Sequence, residues 1–126
     1  MTLLAKASEH ATLVLRLGLS AVILWFGANQ LLWPDVWIVW VPDWAGSIVT
    51  PATIVLLNGA FEVVSGVFLI VGLFVPWVAL LLSLHLLVLV FEIGLTAVGV
   101  RDFGLAAAFL ALAMYTYKPV VENAHE

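Results

Sequence analysis

Residues 51–72 form a run long enough to cross a bilayer, and a single charged side chain, Glu62, stands near its middle. About twenty apolar residues match the thickness of the hydrocarbon layer. In lipid every backbone N–H and C=O must be satisfied within the chain, so the run has to be a helix. A charge turned toward lipid would cost at least about 2.5–3.5 kcal/mol. Glu62 therefore needs other helices around it. Further apolar runs cover about residues 11–33, 77–98 and 103–118. The chain is 65% hydrophobic and 10% charged, against roughly half and a quarter for a soluble domain. A chain of 126 residues cannot hide that much apolar surface in one aqueous core. The expectation is an all-α fold, a four-helix transmembrane bundle. It would form a single integral membrane domain over residues 1–126, multi-pass in the cell membrane.

The links between the runs carry the punctuation. Residues 33–46 hold four of the six tryptophans and two Pro-Asp steps. Pro34 and Pro42 exclude a long regular helix there, and tryptophan favours the headgroup level. A Trp-rich interfacial segment is expected between helices 1 and 2, either as an anchor or as an aromatic lid over a ligand site. Thr50-Pro51 suits a helix start. Residues 73–76 read as a tight turn, Gly99-Val100 as another, Asp102 as a helix cap and Pro119 as a stop. Arg16 and the length of the first run argue for a retained span rather than a signal peptide. Lys6, Arg16 and Lys118 fall on one side of the membrane and Arg101 alone on the other. Positive charge stays inside, so both termini are expected in the cytoplasm.

Composition also removes function classes. Without cysteine there are no disulfides or thiolate metal sites. A net charge of −4 with no basic run offers nothing to nucleic acid. Only His85 lies deep enough for a membrane haem ligand, and His85 and Glu92 are two helical turns apart, so no metal is expected.

Polar residues inside the runs fall into stripes, because positions four or seven apart share a helix face. Asn58, Glu62 and Ser65 make one; His85, Glu92 and Thr96 a second; Arg16, Ser20, Gly27 and Gln30 a third. The candidate buried polar or proton site is Glu62, Glu92, Arg101, Asn58 and His85. Glu62 would face Glu92, with Arg101 reaching in to one of them. The plainer reading makes Asn58, Ser65, Thr96 and Gln30 interhelical hydrogen bonds and Arg16 a snorkelling side chain. His85 would then be a hydrogen-bonded core histidine. Gly104, Ala107, Ala108 and Ala111 make a small-residue face on the last helix, for internal packing or a homodimer.

The order of these features resembles the DoxX family of small four-helix membrane proteins. The resemblance is carried by Arg16-Leu17-Gly18-Leu19 and Phe26-Gly27-Ala28-Asn29-Gln30-Leu31, and by Gly59-Ala60-Phe61-Glu62. It continues through Ile70-Val71-Gly72-Leu73-Phe74-Val75-Pro76 and Arg101-Asp102-Phe103-Gly104-Leu105, nearly the whole chain. Family members often carry lysine where Gln30 stands, so no family charge carries over to that position. The resemblance implies a four-helix bundle and a link to quinone-dependent oxidoreductases, since members include subunits of a thiosulfate:quinone oxidoreductase. It supplies no agreed catalytic set. The leading expectation is an accessory or quinone-contacting subunit of a membrane oxidoreductase system, non-catalytic by itself, with a redox-protein partner. A small proton-coupled transporter and an assembly partner without chemistry remain alternatives. A quinone would take hydrogen bonds from protonated Glu62, His85 or Asn58 and ring contacts from Trp25, Phe61 and Phe91.

Overall fold

The structure is a computed structural model that describes residues 2–119. Among the described residues all regular structure is helical. Helix α1 (Leu3–Ser8) is a short turn capped by Thr2. Helix α2 spans Ala11–Leu32. The tryptophan segment follows in three pieces: α3 (Pro34–Trp37), a 3-10 turn (Ile38–Trp40) and α4 (Asp43–Gly46). Pro34 opens α3 and Pro42 precedes α4, so the two prolines cut the segment where their missing N–H groups cost least. Helices α5 (Pro51–Val71), α6 (Val75–Ile93) and α7 (Ala97–Thr116) follow. Four helices, α2, α5, α6 and α7, are long and apolar enough to cross a membrane. The protein is a multi-pass membrane protein, and its outer faces meet the lipid bilayer.

The bundle is two tight helix pairs, α2 on α5 and α6 on α7, that meet more loosely along a seam. Lipid tails are as apolar as leucine, so helices in a membrane are held by close fit rather than by escape from water. Glycines supply that fit between α2 and α5. A Cβ on Gly27 would stand 2.8 Å from the Gly59 carbonyl oxygen, and one on Gly59 would stand 2.9 Å from the Gly27 oxygen. Gly66 receives Leu24 in the same way. The apolar core fills the seam with Leu19, Ile23, Leu69, Leu82, Phe109 and Leu112.

Three expectations change. The third and fourth helices do not divide at Gly99. Gly94 takes a φ of 76° and ends α6 at Ile93, where L side chains would be strained. Thr96 Oγ1 then accepts from the Gly99 N–H at 3.1 Å and caps α7. Gly99 is needed inside the helix because a side chain there would collide with the Gly94 carbonyl. Asp102 is therefore not a cap; it lies within α7, buried. Internal packing by the small-residue face survives only at Ala108, half-buried against the core. Gly104, Ala107 and Ala111 are exposed, whereas Asp102, Ala106, Phe109 and Ala113 point inward. A carboxylate and a large ring claim the inner face, and the small stripe is left toward lipid. Arg16 stands where α5 stops. It is half-buried, and its guanidinium lies across Gly72, which carries a φ of 85° at the end of α5. That places a positive charge beside the negative pole of the helix.

Candidate functional site

Glu62 is the most enclosed charged side chain of the seam, 4% exposed, and it is held from two helices. Gln30 Nε2 on α2 donates to Glu62 Oε2 at 2.7 Å. Asn58 Nδ2, one turn away on α5, donates to Glu62 Oε1 at 3.2 Å. Asn58 Nδ2 also donates to Gln30 Oε1 at 2.6 Å. The second hydrogen on Gln30 Nε2 goes to the Phe26 carbonyl at 3.2 Å. The result is a closed triangle of one carboxylate and two amides. Gln30 can reach Glu62 because Gly27 and Gly59 let the two helix backbones approach one turn away. His85 on α6 approaches from the other pair: its Nε2 is 3.8 Å from Glu62 Oε1, too long for a hydrogen bond, and is buried without a partner among the described residues. The imidazole lies against the Phe61 ring at 4.8 Å between centroids.

Across the seam a second polar group comes from α7. Arg101 Nε and Nη2 donate to Asp102 Oδ1 at 3.0 and 2.8 Å. The guanidinium stands 4.5 Å over the Phe26 ring, a cation–π contact that ties α7 to α2. Together with His85 at Glu62, this contact joins the two helix pairs. Between the polar groups lies a cavity of about 290 Å³. Gln30, Asn58 and Glu62 line one side, Arg101 and Asp102 another, and aliphatic side chains such as Ile23, Leu86 and Leu105 the rest. Trp37, Trp40, Val41 and Pro42 of the tryptophan segment close one end. Trp37 is held there edge-on to Phe26 at 5.6 Å.

The coupled group expected from Glu62, Glu92 and Arg101 does not form. Glu92 is exposed in the last turn of α6 and accepts from Trp44 Nε1 at 3.2 Å, pinning α4 to the bundle. The early stop at Gly94 puts Glu92 at the helix end rather than a turn and more inside it. Arg101 bonds its neighbour Asp102, which the inward turn of α7 brings into reach. The expected ring contacts also move. Phe91 is 88% exposed and Trp25 is 58% exposed, both toward lipid, and Phe61 packs on His85 instead of lining the cavity. The cavity rings are Phe26, Trp37 and Trp40. Phe26 had a visible signal, since it lies four residues before Gln30 on the same helix face. Trp37 and Trp40 are three apart, a spacing that turns both to one side. Among the described residues no three His, Asp or Glu side chains lie close enough to hold a metal ion.

The profile of the DoxX family matches residues 11–95, more than half of the chain. This protein belongs to the DoxX family. The match runs from the start of α2 to just past α6. It takes in Gln30, Asn58, Glu62 and His85. Helix α7 lies beyond it, so the Arg101–Asp102 side of the cavity is not part of the matched DoxX region. No curated protein and no solved structure matches the chain.

Proposed function

We propose that this DoxX protein is the quinone-contacting, accessory subunit of a membrane oxidoreductase system. The observation that carries the reading is the cavity: an apolar slot with rings at one end and a few convergent polar groups. Ligand sites are built from that mixture, commonly with volumes of roughly 300–1,000 Å³. At about 290 Å³ the cavity suits one substituted ring and not a longer molecule, so an isoprenoid tail would leave along the seam into lipid. The residues present fit such a group: Phe26, Trp37 and Trp40 offer ring faces, and Arg101 and the amide–carboxylate triangle offer polar contacts. A bound quinone would supply a two-electron carrier. The chain itself positions the ring and keeps the Glu62 carboxylate beside it. Electrons would come from a redox-protein partner. The exposed face of Gly104, Ala107 and Ala111 is the smooth surface on which such a partner or a second copy would pack. The tryptophan segment lies outside the cell and both termini in the cytoplasm, as Lys6, Arg16 and Lys118 against Arg101 indicate.

Tryptophan fluorescence tests the reading directly, because Trp37 and Trp40 line the cavity. Short-chain ubiquinone and menaquinone analogues are expected to quench part of the emission saturably. The saturable part should shrink when Trp37 and Trp40 are both replaced by phenylalanine. Quenching that never saturates, and that is the same after Glu62→Ala in a folded protein, refutes the site.

A further inference from the structure

The hydrogens of the amide–carboxylate triangle can be counted one by one. Gln30 Nε2 has two, and both are spent, on Glu62 Oε2 and the Phe26 carbonyl. Asn58 Nδ2 has two, and both are spent, on Gln30 Oε1 and Glu62 Oε1. The two amides cannot be turned round. The Phe26 carbonyl can only accept, so the nitrogen of Gln30 must face it, and the same nitrogen faces Glu62. Gln30 Oε1 then faces Asn58 and requires its nitrogen. Both oxygens of Glu62 take an amide N–H, so the carboxylate is an acceptor here. This side of the cavity therefore presents no free donor. What it presents is acceptors: Asn58 Oδ1, which has no partner among the described residues, and the remaining lone pairs of Glu62. Arg101 is the opposite case. The Nε hydrogen and one of the two on Nη2 are spent on Asp102; the other on Nη2 and the two on Nη1 have no partner among the described residues, so Arg101 offers N–H to the cavity it lines.

A quinone carbonyl can only accept. Beside the triangle it would set lone pair against lone pair and leave buried acceptors unpaired, which costs about 1–3 kcal/mol. A hydroquinone hydroxyl donates and accepts. It would give its hydrogen to Asn58 Oδ1 or Glu62, and its other hydroxyl would accept from Arg101. We propose that the cavity selects the reduced, hydroxyl-bearing form of its ring ligand, a hydroquinone over the corresponding quinone. The proposal rests on the quinone-class reading above and adds the redox form that the site favours.

The test uses the full chain in nanodiscs under argon. A short-chain ubiquinone and its chemically reduced quinol are titrated separately by calorimetry. The quinol is expected to bind at least about tenfold more tightly. The bound couple should then shift upward by about 30 mV in an equilibrium redox titration, the two-electron equivalent of tenfold. Glu62→Gln removes acceptor capacity and adds an N–H, so it should weaken or reverse the preference. If that variant does not fold, the redox titration of the unaltered protein decides alone. Equal binding of both forms, or tighter quinone, overturns the proposal and leaves the quinone-class reading in place. Binding of neither form overturns both. A hydrophobic primary amine of the same size binding more tightly than the quinol also overturns it, because the acceptors would then be serving a cation.

Discussion

Replacing Gly27 by alanine tests the closest contact in the bundle. The new Cβ would stand 2.8 Å from the Gly59 carbonyl oxygen and 2.9 Å from both the Val63 nitrogen and Val63 Cγ2, where ordinary contact begins at 3.4 Å. Two of the three obstacles are backbone, which cannot swing aside. Helices α2 and α5 must therefore part at this point, by about 0.6 Å if ordinary contact is restored. A gap of that size forfeits roughly a quarter to a half of each dispersion contact it opens. Forced separation of a packed interface costs about 1–3 kcal/mol. The Gln30–Glu62 bond crosses the same interface one turn away at 2.7 Å. Stretched to about 3.3 Å it would pass the ordinary range for N–H···O bonds, with part of its 1.5–3 kcal/mol lost. The expected total is roughly 2–4 kcal/mol. Gly18→Ala is the control on the same helix: nothing lies within 4 Å of its Cβ. Alanine is the better helix former by about 1 kcal/mol in water, so that variant should be neutral or slightly stabilised. Unfolding by titration with a denaturing detergent, followed by circular dichroism, compares the two. If Gly27→Ala unfolds at the same point as Gly18→Ala, the glycine account of the α2–α5 interface is wrong.

Arg101→Gln should destabilise the bundle, because Asp102 is buried and loses both N–H bonds to Oδ1. Breaking a fully buried pair costs about 3–5 kcal/mol; the Arg101 side chain is 44% exposed, so about 1–3 kcal/mol is expected here. The same denaturation measurement checks it, and stability equal to the unaltered protein would refute the pairing. The chain has no cysteine, so single introduced cysteines report topology cleanly. Ser47→Cys should react with an impermeant maleimide in intact cells and Ser8→Cys should not; the reverse pattern would invert the orientation.

The sequence alone determined the solvent, the number of spans and the presence of a buried carboxylate. Those follow from local quantities: the length of an apolar run, the price of a charge in lipid and the effect of proline on a helix. Gln30, Asn58 and Glu62 were each legible as inward-facing, because a helix period is enough to place residues on a face. Their union into one triangle was not legible. It depends on how near two helices come, and that was set by Gly27 and Gly59, residues whose role exists only when both backbones are in place. The Glu62–Glu92–Arg101 group failed for a related reason. Its placement turned on where α6 stops and α7 starts, and the left-handed Gly94 with the Thr96 cap moved both boundaries toward the N-terminus. A shift of a few residues rotates a side chain around a helix and moves it along the membrane. Glu92 thereby went to the helix end with Trp44, and Asp102 went inside, bonded to the half-exposed Arg101. The cavity was decided last of all. It is the space left where two well-packed pairs meet imperfectly, and only the tertiary arrangement contains that mismatch.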